Sequence, residues 1–311
     1  MTEIHPELAR AARWIPHIPS SDFSVKVMQW LTARAPARRV AKTVERRAMS
    51  FVSPSGGHTI EVFVHRPRRV SGATPALLWM HGGGYVLGSP AQDAALNASF
   101  ADKLEITVVA VRYRLAPQHP YPAGLEDCYA ALEWMRKNAD AIGIDGDRIA
   151  VGGASAGGGL AAALALLARD RDGAKPVFQL LVYPMLDDRT TLRTDIDERS
   201  FRLWRQQNNR YAWRAYLGRT PGEDGIERCA APSRCESLHG LAPAWIGVGT
   251  ADLFHDEDLA YAQRLEASGV SCERTVVDGG YHAFDVVSPD AEVSRAFLAA
   301  QLRALGAALR P

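Results

Sequence analysis

The chain has 311 residues, with 36 Lys and Arg against 35 Asp and Glu. It is long enough for one large α/β domain with an added subdomain, and its even charge offers no global field to nucleic acid, an anionic membrane or a charged substrate. The four cysteines, Cys128, Cys229, Cys235 and Cys272, include no C-x-x-C pair, which fits a reduced intracellular setting; a bridge between Cys229 and Cys235 stays open.

The N-terminal stretch MTEIHPELARAARWIPHIPS carries early acids and no apolar run of the kind a secretory signal needs. The most apolar run, LAAALALLA at 160–168, is far short of the roughly 20 residues that cross a bilayer. A cytoplasmic protein without stable membrane association is therefore expected, and a homodimer stays open. Residues 1 to about 45 contain one amphipathic helical segment, FSVKVMQWLTARA, before any strand.

From residue 46 short strand-like runs alternate with helical ones. RRAMSFV and IEVFVHRP, split by the turn-like SPSGGH, read as a hairpin; PALLWM, ITVVAVRY, RIAVGG, VFQLLVYP, AWIGVG and ERTVVDGG follow. Between several of them lie the helical stretches AGLEDCYAALEWMRKNAD, SAGGGLAAALALLARD and DEDLAYAQRLEASG. Apolar strands separated by helices predict a mostly parallel sheet covered on both faces, with ligand chemistry at the carboxyl ends of the strands. Residues 188 to about 225 break this rhythm: FRLWRQQNNRYAWRAYLG places Phe201, Trp204, Tyr211 and Leu217 near helical spacing, with Arg202, Arg205, Arg210 and Arg214 as a solvated face. This stretch and residues 1–45 either form a lid together or patch the sheet edge.

Ser155 lies in Gly153-Ala154-Ser155-Ala156-Gly157, between a strand and a helix. A G-x-S-x-G pentapeptide in that setting is a nucleophile elbow; alone, it is also an ordinary glycine-rich turn. A second element favours the nucleophile. MHGGGYVLG again follows a strand directly, and Gly82 and Gly83 offer backbone amides that can approach an oxyanion, with the Ala156 amide at a helix start as the third donor. Neither G-x-x-x-x-G-K nor G-x-G-x-x-G opens a helix here, which sets a phosphate cradle aside. His81 is read as shaping this loop.

A serine nucleophile needs a base and the base an orienting acid, in the chain order Ser, acid, His on this architecture. Of nine histidines, His5, His17, His58, His65, His81 and His119 precede the serine, His239 precedes the acid, and His255 opens a helix. His282, on a glycine-loosened loop after the last strand, has the right place. Asp252 follows the strand AWIGVG and is the better placed acid, with Asp187, Asp188, Asp256, Glu257 and Asp258 as rivals.

Together with YRLAPQHPYPAGLEDCYAALEWM at 113–135, these motifs resemble the hormone-sensitive-lipase-like (bacterial family IV) carboxylesterases of the α/β-hydrolase fold, over nearly the whole chain. The family's HGGG and following aromatic match residues 81–85, its G-[DT]-S-A-G-G matches 153–158 but for Ala154, its D-P-L-x-D aligns with 252–256 and its H-G-F with 282–284. Gln118, Leu253, Phe254 and Ala283 also depart from the pattern. The resemblance implies a Ser155–Asp252–His282 ester hydrolase with a helical cap (1–45 and 188–225) on a catalytic domain (46–187 and 226–311). It implies no cofactor and no metal. The expected substrate is a small, short-acyl ester, with Tyr85, Phe201 and Trp204 as its lining; amide or lactone hydrolysis would use the same groups, and a ligand-binding protein on a hydrolase scaffold is the rival of another class.

Overall fold

A computed structural model describes residues 3–15, 18, 20–34 and 40–310. His17 lies outside the described residues. Eight strands form one sheet: β1 (Val44–Val52), β2 (Thr59–Pro67), β3 (Thr74–Met80), β4 (Thr107–Arg112), β5 (Ile144–Ala154), β6 (Gln179–Val182), β7 (Ala244–Ala251) and β8 (Cys272–Tyr281). Their order is β1-β2-β4-β3-β5-β6-β7-β8; the β1–β2 and β2–β4 pairings are antiparallel and all others parallel. In the centre of the sheet both faces are covered, so residues 76–80 of β3 are all fully buried, whereas β1 at the edge is half-buried or exposed at every position after Val44.

The helices are α1 (Pro6–Ala12), α2 (Asp22–Arg34), α3 (Ala94–Leu104), α4 (Ala123–Lys137), α5 (Ala139–Ile142), α6 (Ala156–Asp170), α7 (Gln206–Leu217), α8 (His255–Ala267), α9 (Phe284–Val287) and α10 (Glu292–Ala308). One core joins α4, α6 and α8 to the sheet and continues into α7 and Val25 of α2; the other gathers α1, α3 and α10 on the opposite face. All four cysteines are free and buried.

Two readings of the outer segments need correcting. The segment 201–218 is not one helix. Leu203 takes a left-handed φ of 65°, and the helix starts only at Gln206, whose amide donates to Glu198 Oε1 (2.6 Å) while the Arg205 amide donates to Asn208 Oδ1 (3.2 Å). Phe201 and Trp204 therefore precede α7, and its buried face holds Gln206, Asn209, Trp213 and Tyr216. Arg210 and Arg214 are exposed, but Arg202 and Arg205 are half-buried.

The N-terminal stretch also divides. Leu8 and Ala12 of α1 are buried in the core with Phe100 and Leu305, and the His5 amide donates to Gly279 O (3.0 Å). The part that meets the 188–225 segment through side-chain hydrogen bonds is Ile18 and α2: Asn208 Nδ2 donates to Ile18 O (2.7 Å), and the Tyr211 hydroxyl donates to Asp22 Oδ1 (2.9 Å).

Candidate active site

Ser155 is the single residue between the end of β5 and the start of α6, with φ 58° and ψ −123°. That conformation is costly for an L-residue. It is held by backbone on both sides: the Ser155 amide donates to Val182 O (2.9 Å), and its carbonyl accepts from the amides of Met185 and Gly159 (3.0 Å each). The flanking glycines answer to space. A Cβ on Gly153 would lie 2.4 Å from the Gly157 carbonyl carbon, and one on Gly157 would lie 2.1 Å from Met80 O.

His282 directly follows β8 and Asp252 directly follows β7, so adjacent parallel strands deliver both side chains to the carboxyl edge of the sheet. His282 Nε2 is 2.9 Å from Ser155 Oγ, and its Nδ1 is 2.8 Å from Asp252 Oδ2. Asp252 Oδ1 accepts from the Phe254 amide (3.0 Å), which fixes the carboxylate plane. All three residues are buried. The imidazole is boxed by Tyr183 and Phe254, both edge-on at 4.9 and 5.2 Å, and by Trp204 at 6.3 Å. Tyr183 was not among the expected site residues; it ends a strand-like run and looks like core. Ala283 takes the left-handed region (φ 58°), where the family's glycine would sit without strain at roughly 1 kcal/mol less cost.

Four of the five rival acids are engaged elsewhere. Asp187 pairs with Arg189, Asp188 with Arg234 and the Gly222 amide, and Asp256 with Arg193 and His255. Glu257 accepts from the amides of Leu186 (2.8 Å) and Asp187 (3.2 Å) and from the Thr190 hydroxyl. Among the histidines, His58 meets Asp127 and His65 is buried in β2, where burial pushes it down to about 4.

The glycine loop runs beside Ser155: a Cβ on Gly82 would lie 2.9 Å from Ala154 O and 3.4 Å from Ser155 Cβ. Gly83 has φ 132° and Gly84 φ 60°. Internal donors occupy the loop's carbonyls. The Leu87 amide bonds to Gly83 O (2.8 Å), Gln92 Nε2 to Gly82 O (3.3 Å) and the Tyr113 hydroxyl to His81 O (2.7 Å). His81 stacks on Tyr113 at 4.3 Å, and burial lowers its pKa to about 4, so it is a neutral, structural ring. Ala156 contributes the first amide of α6, and a helix's first amides have no acceptor within the helix.

Of the expected lining residues, Trp204 comes nearest, with its Cη2 only 2.2 Å from where a Gly84 Cβ would stand. Phe201 lines a polar cleft of about 820 Å³ that also touches Arg193, Asp252, Leu253 and His255. Tyr85 is committed to packing: its hydroxyl donates to Met185 O (2.8 Å) and its ring stacks on Tyr216 at 4.0 Å. Gln118 accepts from Gln29 Nε2 of α2 (3.1 Å), so this departure from the family pattern serves the seat of α2.

Asp258 is fully buried, and neither of its carboxyl oxygens has a hydrogen-bond partner among the described residues. Burial first, then the charges of Glu257 and Asp252, push its pKa well above the ordinary carboxylate range. The folded chain thus binds a proton here that the unfolded chain releases near pH ~3.9. The stability linked to that proton is complete below this pH and is lost as pH rises. Asp258→Asn should flatten the fall of melting temperature between acid and mildly alkaline pH; identical pH slopes for both proteins would show that Asp258 ionises normally.

The profile of the alpha/beta hydrolase fold family matches residues 77–286. Carboxylesterase NlhH of Mycobacterium tuberculosis is 38% identical over 279 residues, covering 85% of this chain and 83% of that protein. Ethyl acetate hydrolase of Pseudomonas putida is 36% identical over 235 residues, covering 73% of this chain and 72% of that protein. A solved bacterial heroin esterase superposes with a TM-score of 0.92 at 35% identity, covering 99% of this chain and 98% of that one. The chain belongs to the hormone-sensitive-lipase-like carboxylesterases of the α/β-hydrolase fold.

Proposed function

We propose that the protein hydrolyses small, uncharged, short-acyl carboxylic esters through an acyl-enzyme. The observation that carries this reading is the unbroken relay from Asp252 Oδ2 through His282 to Ser155 Oγ, at 2.8 and 2.9 Å. Ser155 Oγ attacks the ester carbonyl as His282 Nε2 takes its proton. Asp252 holds the imidazole with Nδ1 protonated and stabilises the imidazolium. The amides of Gly82, Gly83 and Ala156 receive the developing oxyanion. His282 passes its proton to the leaving alcohol, then activates the water that frees the acid and restores Ser155.

In this reading α2 and residues 188–225 make the cap, and Trp204 sets the acyl room. Its ring stands over Gly84 and beside His282, which leaves little length for a chain on the carbonyl. The name of the Pseudomonas putida relative, an acetate-ester hydrolase, agrees with a short acyl group. Aryl esters of increasing acyl length should therefore be cleaved with falling kcat/KM beyond a few carbons. Trp204→Ala should shift that optimum toward longer chains by about tenfold or more in relative kcat/KM, roughly one to three kcal/mol being what even one methylene is worth in a hydrophobic pocket. A uniform loss for every chain length, together with a lower melting temperature, would assign Trp204 to packing alone.

A further inference from the structure

The helix α2 is apolar on two faces. Its inner face seats it on the body: Val25 is buried, and Gln29 Nε2 donates to Val86 O (2.8 Å) and Ala116 O (3.0 Å), just beyond the glycine loop. Its outer face carries Phe23 (80% exposed), Val27 (42%), Trp30 (56%) and Leu31 (49%). Positions 23, 27, 30, 31 and 34 fall on one side of a helix, so this is a continuous stripe and not a scatter of single side chains. Cations accompany it. Lys26 is exposed beside the stripe, and the Arg34 guanidinium lies 4.4 Å from the Trp30 ring centroid. The first 44 residues hold seven Lys and Arg against three Asp and Glu, although the whole chain is nearly balanced.

We propose that the outer face of α2 docks reversibly on an anionic lipid bilayer. Phe23, Val27, Trp30 and Leu31 enter the headgroup region, and Lys26 and Arg34 meet lipid phosphates. A stable protein dimer needs about 800 Å² from each partner, more than four side chains on one short helix supply. An interfacial helix needs only shallow insertion of its apolar face with a basic rim, and Trp is at home at that depth. Arg34, stacked on Trp30, has the long stem and charged tip that reach from the apolar zone to the headgroups. No helix among the described residues is long and apolar enough to span a membrane, so the contact lies on the surface.

The test is co-sedimentation of the whole protein with vesicles of phosphatidylcholine alone or mixed with phosphatidylglycerol, at low and high salt. The expected result is binding to the anionic vesicles that salt weakens, with a blue shift of tryptophan emission. The double variant Phe23→Ser, Trp30→Ser should bind at least tenfold more weakly and Lys26→Gln about fivefold more weakly. Turnover of a soluble ester should stay unchanged in each, which also shows that they fold. Wild-type protein that remains in the supernatant would overturn the proposal, as would equal binding by the double variant. A dimer in solution that Trp30→Ser dissolves, without vesicle binding, would assign the stripe to a second copy of the chain.

Discussion

Ser155→Ala should lower kcat by about 10⁶-fold while leaving the melting temperature nearly unchanged. Alanine replaces one hydroxyl in an elbow that backbone hydrogen bonds hold from Val182, Met185 and Gly159, so the change removes the proposed nucleophile and little else. Asp252→Asn should cost about 10⁴-fold, because an amide in place of the carboxylate presents the imidazole in the wrong tautomer. Asp187→Asn and Asp188→Asn supply the control. Asp187 serves Arg189 and Asp188 serves Arg234, so their loss should appear first in stability and only weakly in kcat. An organophosphate that labels a serine other than Ser155, or a deeper loss of kcat from Asp187→Asn than from Asp252→Asn, would overturn the assignment of roles.

The sheet was legible because its inner strands are buried on both faces and so read as unbroken apolar runs; residues 76–80 and 108–111 are examples. The candidate triad was legible for a related reason. Each member stands at the end of such a run, where glycines and short loops mark the turn. Other features lack that signature. The core faces of α3 and α10 include Asn97, Ser294 and Gln301, which break the apolar periodicity a reader relies on. The helical spacing of Phe201 and Trp204 was coincidental, since a left-handed Leu203 separates them from α7. The outer stripe of α2 was hidden by its own inner face: Val25 and Met28 point one way and Val27 and Trp30 the other, so the apolar residues sum to no single direction. Asp258 gives no distinguishing pattern, for it is one of three consecutive acids in the first turn of α8, where acids are normally favourable and exposed.

The glycine loop yields the sharpest contrast between two neighbouring positions. Gly83→Ala should lower kcat by about 10²- to 10³-fold, the range for losing one oxyanion donor, with a smaller change in KM. Its φ of 132° disfavours any side chain, and the new Cβ would fall 2.2 Å from Leu87 O. That obstacle is backbone, so the loop itself must move, carrying the Gly82 and Gly83 amides off the position of the oxyanion. Gly84→Ala meets a different obstacle, the far edge of the Trp204 ring, also at 2.2 Å. Here the indole can give way. Adding Trp204→Ala should therefore restore most of the activity lost in Gly84→Ala, short of the roughly 1 kcal/mol that a left-handed alanine costs, and should restore none of that lost in Gly83→Ala. Steady-state kinetics of the two single and two double variants, on an ester short enough to be indifferent to Trp204, reads the difference directly. Rescue of Gly83→Ala by the smaller residue at 204 would mean that the loop accommodates a side chain without displacing its donors, and the amides of Gly82 and Gly83 would have to be replaced as the oxyanion's partners.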